Sequence, residues 1–229
     1  MRIKAIMASS SEELAQSQLP SRQAALAEGT DVAVVAPRGC PPATESEQDR
    51  LVAALAVFSE VVAAKEEGFD AVTIDCTLDP GLKAAKKASR IPVVGAGEAA
   101  LCVSLLFGER FSVIMPGPTS VSPMVSKIRE MGLTDRLASV RSVRLHVLDL
   151  DDDERTLDAV RKAARQAIEE DGADVIVLGC TAMGRIAGAL AEQIGVPVIE
   201  PATTALKLAE AFAAPNWRPA LAPTLRAGG

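Results

Sequence analysis

The chain carries one segment twice. Gly68-Phe-Asp70-Ala-Val-Thr-Ile-Asp-Cys76-Thr77 aligns with Gly172-Ala-Asp174-Val-Ile-Val-Leu-Gly-Cys180-Thr181 at a constant spacing of 104 residues. Further on, Ile91-Pro92-Val93-Val94 matches Val196-Pro197-Val198-Ile199 at 105, so one residue is gained in between. Each copy reads as a strand, a turn after Cys-Thr, a helix, and a second strand opening with proline. Such a repeat is too long and too rarely repeated for a solenoid. It implies two pseudo-equivalent halves facing each other.

The rest of the chain fits that division. Ile3–Ala8, Val32–Ala36, Ala71–Asp75, Pro92–Gly95, Phe111–Met115, Val140–Leu148, Val175–Leu178 and Pro197–Ile199 are short, mostly β-branched or aliphatic runs. Continuous apolar runs suit parallel strands buried on both faces. Helical stretches lie between them. Thr44-Glu45-Ser46-Glu47 has the form of a capping box and predicts a helix that turns Leu51, Leu55, Phe58 and Val62 inward and stops near Gly68. Ser122-Pro123 predicts a cap with proline at the first helical position, in a helix closed by Gly132. Asp151-Asp152-Asp153-Glu154 places negative charge at the start of a helix ending at Gly172. Alternating strands and helices imply an α/β fold of two pseudo-symmetric lobes. Each lobe is expected to be a parallel four-stranded sheet flanked by helices, with the active site in the cleft between them. The lobes are expected at 1–97 and 98–200, with a helix at 201–214 that joins either one. Residues 215–229, rich in Pro, Ala and Gly and holding the single Trp, read as a tail.

Composition removes several function classes. The net charge is −6 and Lys/Arg residues form no stripe with interleaved aromatics, which argues against nucleic acid as a partner. The start of the chain lacks the apolar region of a signal peptide, and no uncharged apolar run reaches the ~18 residues of a membrane span, so a cytoplasmic protein with reduced cysteines and no membrane partner is expected. The four cysteines, at 40, 76, 102 and 180, include no C-x-x-C pair, and His146 is the single histidine. A metal site and a histidine-dependent triad are both poorly supplied.

The repeat selects two of the four cysteines. Cys76 and Cys180 occupy the same station in each half, at the end of a strand and before a helix, where ligands bind in open parallel sheets. Asp79-Pro80 is read as the cap and first-turn proline of the helix after Cys76, and Met183-Gly184 as the opening of the one after Cys180. A thiol at a helix N-terminus is expected to have its pKa lowered toward neutrality. Two thiols facing each other across a cleft suit inversion at a carbon acid, one removing a proton and the other delivering one to the opposite face. Thr77 and Thr181 are expected to add amide and hydroxyl donors. Cys102 reads as a core residue of an apolar helix, Cys40 as a loop residue without a counterpart, and His146 as packed or exposed but not catalytic.

At Asp75-Cys76-Thr77-Leu78-Asp79-Pro80-Gly81-Leu82, Val94-Gly95-Ala96-Gly97-Glu98-Ala99-Ala100 and Val177-Leu178-Gly179-Cys180-Thr181-Ala182-Met183 the chain resembles the aspartate/glutamate racemase superfamily. It is most similar there to the hydantoin racemase branch. That resemblance implies Cys76 and Cys180 as the two bases, no cofactor, a small-molecule substrate and a homo-oligomer. Its substrate-bordering positions correspond to Ser9, Ser10, Thr77, Met115, Pro116, Gly117, Thr181 and Ala182. Three stretches depart from the pattern: Met7-Ala8-Ser9 where Asn-Pro-Asn is usual, Met115-Pro116-Gly117-Pro118 where a Thr-rich loop is usual, and Ala182-Met183 where acidic amino-acid racemases carry Glu. A 5-substituted hydantoin or an allantoin-like ring is the leading expectation for the substrate. Racemisation of aspartate or glutamate, maleate isomerisation, arylmalonate decarboxylation and a non-enzymatic two-lobed binder remain open beside it.

Overall fold

The computed structural model describes residues 1–214, and the expected tail at 215–229 lies outside them. Two four-stranded sheets form the frame. The first holds β1 (Arg2–Met7), β2 (Asp31–Val35), β3 (Ala71–Asp75) and β4 (Val93–Gly95) in the order β2-β1-β3-β4. The second holds β5 (Phe111–Met115), β6 (Leu137–Ser142), β7 (Val175–Leu178) and β8 (Val198–Ile199) in the equivalent order β6-β5-β7-β8. All these pairings are parallel. Every residue of β3 and of β7 is buried; β7 runs apolar throughout, while β3 also buries Thr73 and Asp75.

Eight helices cover the sheets: α1 (Glu12–Ala24), α2 (Glu47–Ala63), α3 (Leu82–Ala88), α4 (Ala96–Ser104), α5 (Val121–Glu130), α6 (Asp153–Glu169), α7 (Ala187–Ile194) and α8 (Pro201–Ala213). The helix that follows the last strand of each half crosses to the other half. Ala205, Leu206 and Ala209 of α8 pack with Ile3, Ala5, Ala71 and Val94 of the first sheet. Ala100 and Leu101 of α4 pack with Phe111, Val113, Met115, Val175 and Val177 of the second. The two sheets are thereby laced together by their own repeat.

Several local expectations change. The capping box falls two residues later than Thr44, with Ser46 and Asp49 exchanging bonds, Asp49 N to Ser46 Oγ at 3.1 Å and Ser46 N to Asp49 Oδ2 at 2.8 Å. The buried face of α2 is Ala53, Val57 and Val61, small enough for close approach to the sheet. Leu51, Leu55 and Val62, expected inward, are 63%, 74% and 47% exposed, and Phe58 packs at the edge of the core. Strand β6 begins at Leu137 and stops at Ser142, not Leu148, because Arg144 takes a left-handed φ of 59° and Leu145 N bonds back to Pro116 O at 3.1 Å. Ser122-Pro123 lies inside the first turn of α5, whose N-cap is Ser120. Cys102 is exposed on α4, not core, and Cys40 is buried against Ala8 and Ala53.

The largest reassignment concerns Asp79. It does not cap α3, which starts at Leu82 after Gly81 turns at φ 77°. Its carboxylate instead accepts from Gly97 N at 3.0 Å and Glu98 N at 2.7 Å, capping α4, and pairs with Lys127 of α5 at 2.5 Å. The turn after Cys76 is thus pinned to the crossing helix. Gly97 is obligatory to that contact, since a Cβ there would lie 1.8 Å from the Thr77 carbonyl oxygen. Gly97→Ala is expected to destabilise the fold by about 3 kcal/mol, the upper range for overpacking, measurable by urea unfolding.

Candidate active site

Sheets of order 2-1-3-4 open a crevice where the connections diverge, at the carboxyl ends of the two central strands. Here two such crevices face each other. The residues after β1 and β3 and those after β5 and β7 line one cavity of about 60 Å³, room for a few water molecules. Cys76 and Cys180, both half-buried, border it, one from each half of the repeat.

The threonines after the two cysteines hold this arrangement in a crossed pair of bonds. Thr77 Oγ1 donates to Gly179 O at 2.5 Å, and Thr181 Oγ1 donates to Asp75 O at 3.3 Å. Each hydroxyl thus grips the carbonyl just before the opposite cysteine. The hydroxyls expected to serve a ligand are spent on joining the halves. Gly179 allows the approach, because a Cβ there would meet Met115 Sδ at 2.4 Å and Ile114 O at 2.6 Å.

The electrostatics reverse the expectation for the thiols. Burial pushes Cys76 up to about 12, against the lowering effect of the Leu78 amide bonded to it, with Cys180, Asp79 and Asp75 adding to the rise. Burial likewise pushes Cys180 up to about 11, opposed by the Ala182 amide and the nearby Arg22 and reinforced by Asp75 and Glu200. Neither sulfur sits at the start of a full α-helix: α3 begins six residues after Cys76, and Cys180 precedes the 3-10 turn Thr181–Ile186. Desolvation therefore outweighs the amides. Charge on Cys180 adds to the rise at Cys76.

A buried ion pair organises the floor, joining Asp75 of the first motif to an arginine the sequence did not single out. Arg22 of α1 and Asp75 form an ion pair whose side chains are 1% and 2% exposed, with Nε to Oδ2 at 3.1 Å, and Arg22 Nη2 also donates to Thr181 O at 3.1 Å. A helix from the first half is thereby bonded to both cysteine turns. Their separation of 53 positions gave no local signal. A strap at residues 41–45 crosses the opening. Ser9 Oγ donates to Pro42 O at 2.6 Å, Ser10 N to Pro41 O at 3.0 Å and Thr44 Oγ1 to Ala8 O at 2.5 Å. Glu45 closes it onto the second half, accepting from Val147 N at 2.7 Å and lying 3.1 Å from His146 Nδ1. His146 is exposed, as one branch of its reading held, and Glu45 raises its pKa.

Of the expected substrate-bordering positions, Ser9, Thr77, Met115, Pro116, Thr181 and Ala182 border the cavity. Ser10 and Gly117 do not: Ser10 serves the strap, and Gly117 precedes the turn Pro118–Ser120. Gln18, Thr44, Ser120 and Val147 border it without having been anticipated. Breaking the Arg22–Asp75 pair leaves a buried carboxylate unpaired. Arg22→Leu should cost about 3–5 kcal/mol of stability, with the double variant Arg22→Leu/Asp75→Leu losing less; denaturant melts check both.

Comparison with known proteins agrees with this geometry. A sequence model of the family described as Asp/Glu/Hydantoin racemase matches residues 3–209. A hydantoin racemase of Paenarthrobacter aurescens is 36% identical over 220 residues, covering 95% of this chain and 93% of that one. Among solved structures, an allantoin racemase from Klebsiella pneumoniae superposes with a TM-score of 0.88 at 31% identity, covering 93% of this chain and 87% of the other. The allantoin racemase of Pseudomonas fluorescens also gives 0.88, at 27% identity over 97% of this chain and all of that one (100%). With its doubled sheet, its paired cysteine turns and a match spanning nearly its whole length, the chain belongs to the Asp/Glu/hydantoin racemase family.

Proposed function

We propose that this racemase inverts a carbon next to a carbonyl in an uncharged ring, most plainly C5 of a 5-substituted hydantoin or an allantoin-like ring, by a two-base mechanism without a cofactor. The observation that carries the ring is the charge of the cavity. Among the described residues bordering it there is no Lys, Arg or His, and its one charged group, Asp75, is already paired with Arg22. An acidic amino acid would bring carboxylates into a site whose lining has no cation to meet them, which adds a desolvation cost. A neutral ring brings none.

In this reading one cysteine acts as thiolate and takes the C5 proton, leaving electron density on the adjacent carbonyl oxygen as an enolate. The opposite thiol gives its proton to the other face of C5, so the sulfurs exchange roles with each inversion. The Leu78 and Ala182 amides support whichever sulfur is charged. Mutual repulsion between the thiolates favours the one-thiolate, one-thiol state that the reaction needs. A homo-oligomer belongs to the same reading, supported by the apolar Leu51, Leu55 and Val62 that α2 turns to solvent.

Both thiols lie above their ordinary range, so the free protein at neutral pH holds them protonated and must lose one proton to work. The sign follows: kcat/KM should climb about tenfold per pH unit between about pH 7 and 9. A flat profile over that range would contradict the mechanism. Cys76→Ser and Cys180→Ser should each lower racemisation of an enantiopure hydantoin by about 10²–10⁴, while each still exchanges C5–H for deuterium in one enantiomer only. A single variant that keeps full turnover would sink the two-base scheme. Turnover of aspartate or glutamate but of no hydantoin would sink the ring.

A further inference from the structure

Helix α1 presents one buried face to the cavity floor. Leu14, Gln18 and Arg22 follow one another at i, i+4 and i+8, so they stack on that face. Arg22 is satisfied by Asp75 and Thr181 O, and Leu14 borders the cavity as an apolar wall. Gln18 is different. It borders the same cavity at 1% exposure, and its Oε1 has no hydrogen-bond partner among the described residues. Its Nε2 makes only a 3.5 Å contact to Ser17 Oγ.

A buried amide oxygen without a partner costs stability, and a leucine of similar size would remove that cost. Five other polar side chains around the cavity are committed: Thr77 and Thr181 across the halves, Ser9 and Thr44 to the strap, Asp75 to Arg22. Gln18 therefore holds an acceptor in reserve in the cavity that the two cysteines also line, together with Leu14, Met115 and Leu78.

We propose that Gln18 is a specificity-determining residue that accepts a hydrogen bond from a ring N–H of the ligand, so that the site selects cyclic ureides with a free N–H over their N-alkylated counterparts. This rests on the ring-racemase reading above and narrows it from neutral rings to N–H-bearing ones. Gln18 touches the ring and not the reacting carbon, so its loss acts on KM before kcat.

The test compares wild type and Gln18→Leu on three enantiopure substrates: 5-methylhydantoin and its N1-methyl and N3-methyl derivatives. Wild type should favour the parent over one of the methylated rings by about tenfold in kcat/KM, carried by KM, and Gln18→Leu should level that preference. The melting temperature of Gln18→Leu should equal or exceed that of wild type, which a merely structural glutamine would not allow. Gln18→Met serves the same comparison if the leucine variant folds poorly. If wild type racemises these rings and both variants keep its preference, or if both variants melt lower with the preference intact, the assignment to Gln18 is overturned while the racemase reading stands. If wild type racemises none of the three, the reading itself falls and takes Gln18 with it.

Discussion

Everything in this molecule that bears on chemistry depends on the crossed bonds from Thr77 to the Gly179 carbonyl and from Thr181 to the Asp75 carbonyl. They join two strand ends more than 100 residues apart in sequence, so that Cys76 and Cys180 line one cavity. Because each bond runs from a residue after one cysteine to a residue before the other, the geometry is specified twice by the same dipeptide. A threonine at both stations is then a structural requirement before it is anything else. Buried hydroxyls need partners, and here the partner is always the other half.

The duplication is close but not complete, and the departures are informative. In the first half, the helix after the last strand is capped from a distance by Asp79, which also reaches Lys127. In the second half Glu200 caps α8 from the residue just before it, accepting from Ala202 N and Thr203 N at 2.8 and 2.6 Å. Arg22 favours charge at Cys180, where Asp75 and Glu200 oppose it, while Cys76 faces Asp75 and Asp79. Two sulfurs in matched backbones thus acquire unequal electrostatics, a consequence of the residues around the repeat more than of the repeat.

Burial and charge pull against each other throughout the cavity. Enclosure strengthens every dipole aimed at a developing charge, yet it holds both thiols in their neutral form. The amides of Leu78 and Ala182 offset part of that penalty without removing it. The described lining residues include no cation, and the buried Arg22 guanidinium behind them is paired with the Asp75 carboxylate.

Much of this was legible in the chain before any coordinates. The repeat, the parallel strands with their mostly apolar runs, and the matched station of Cys76 and Cys180, which Cys40 and Cys102 lack, follow from spacing and pattern, because strand burial and internal duplication leave local marks. What stayed hidden required knowing which surfaces meet. Leu51 and Leu55 look like a core stripe, yet the sheet accepted the alanine and valine face of α2 beside them. Asp79-Pro80 looks like the cap of the next helix, yet its carboxylate reaches one helix further, to α4. Arg22 and Gln18 look like solvated polar residues and are buried to 1%. The sequence by itself determined the two-half architecture and the pair of sulfurs, since both are written in local order. Only the tertiary structure decided the protonation of those sulfurs, the use of the threonines and the neutrality of the cavity, because each depends on desolvation and on partners that come from distant parts of the chain.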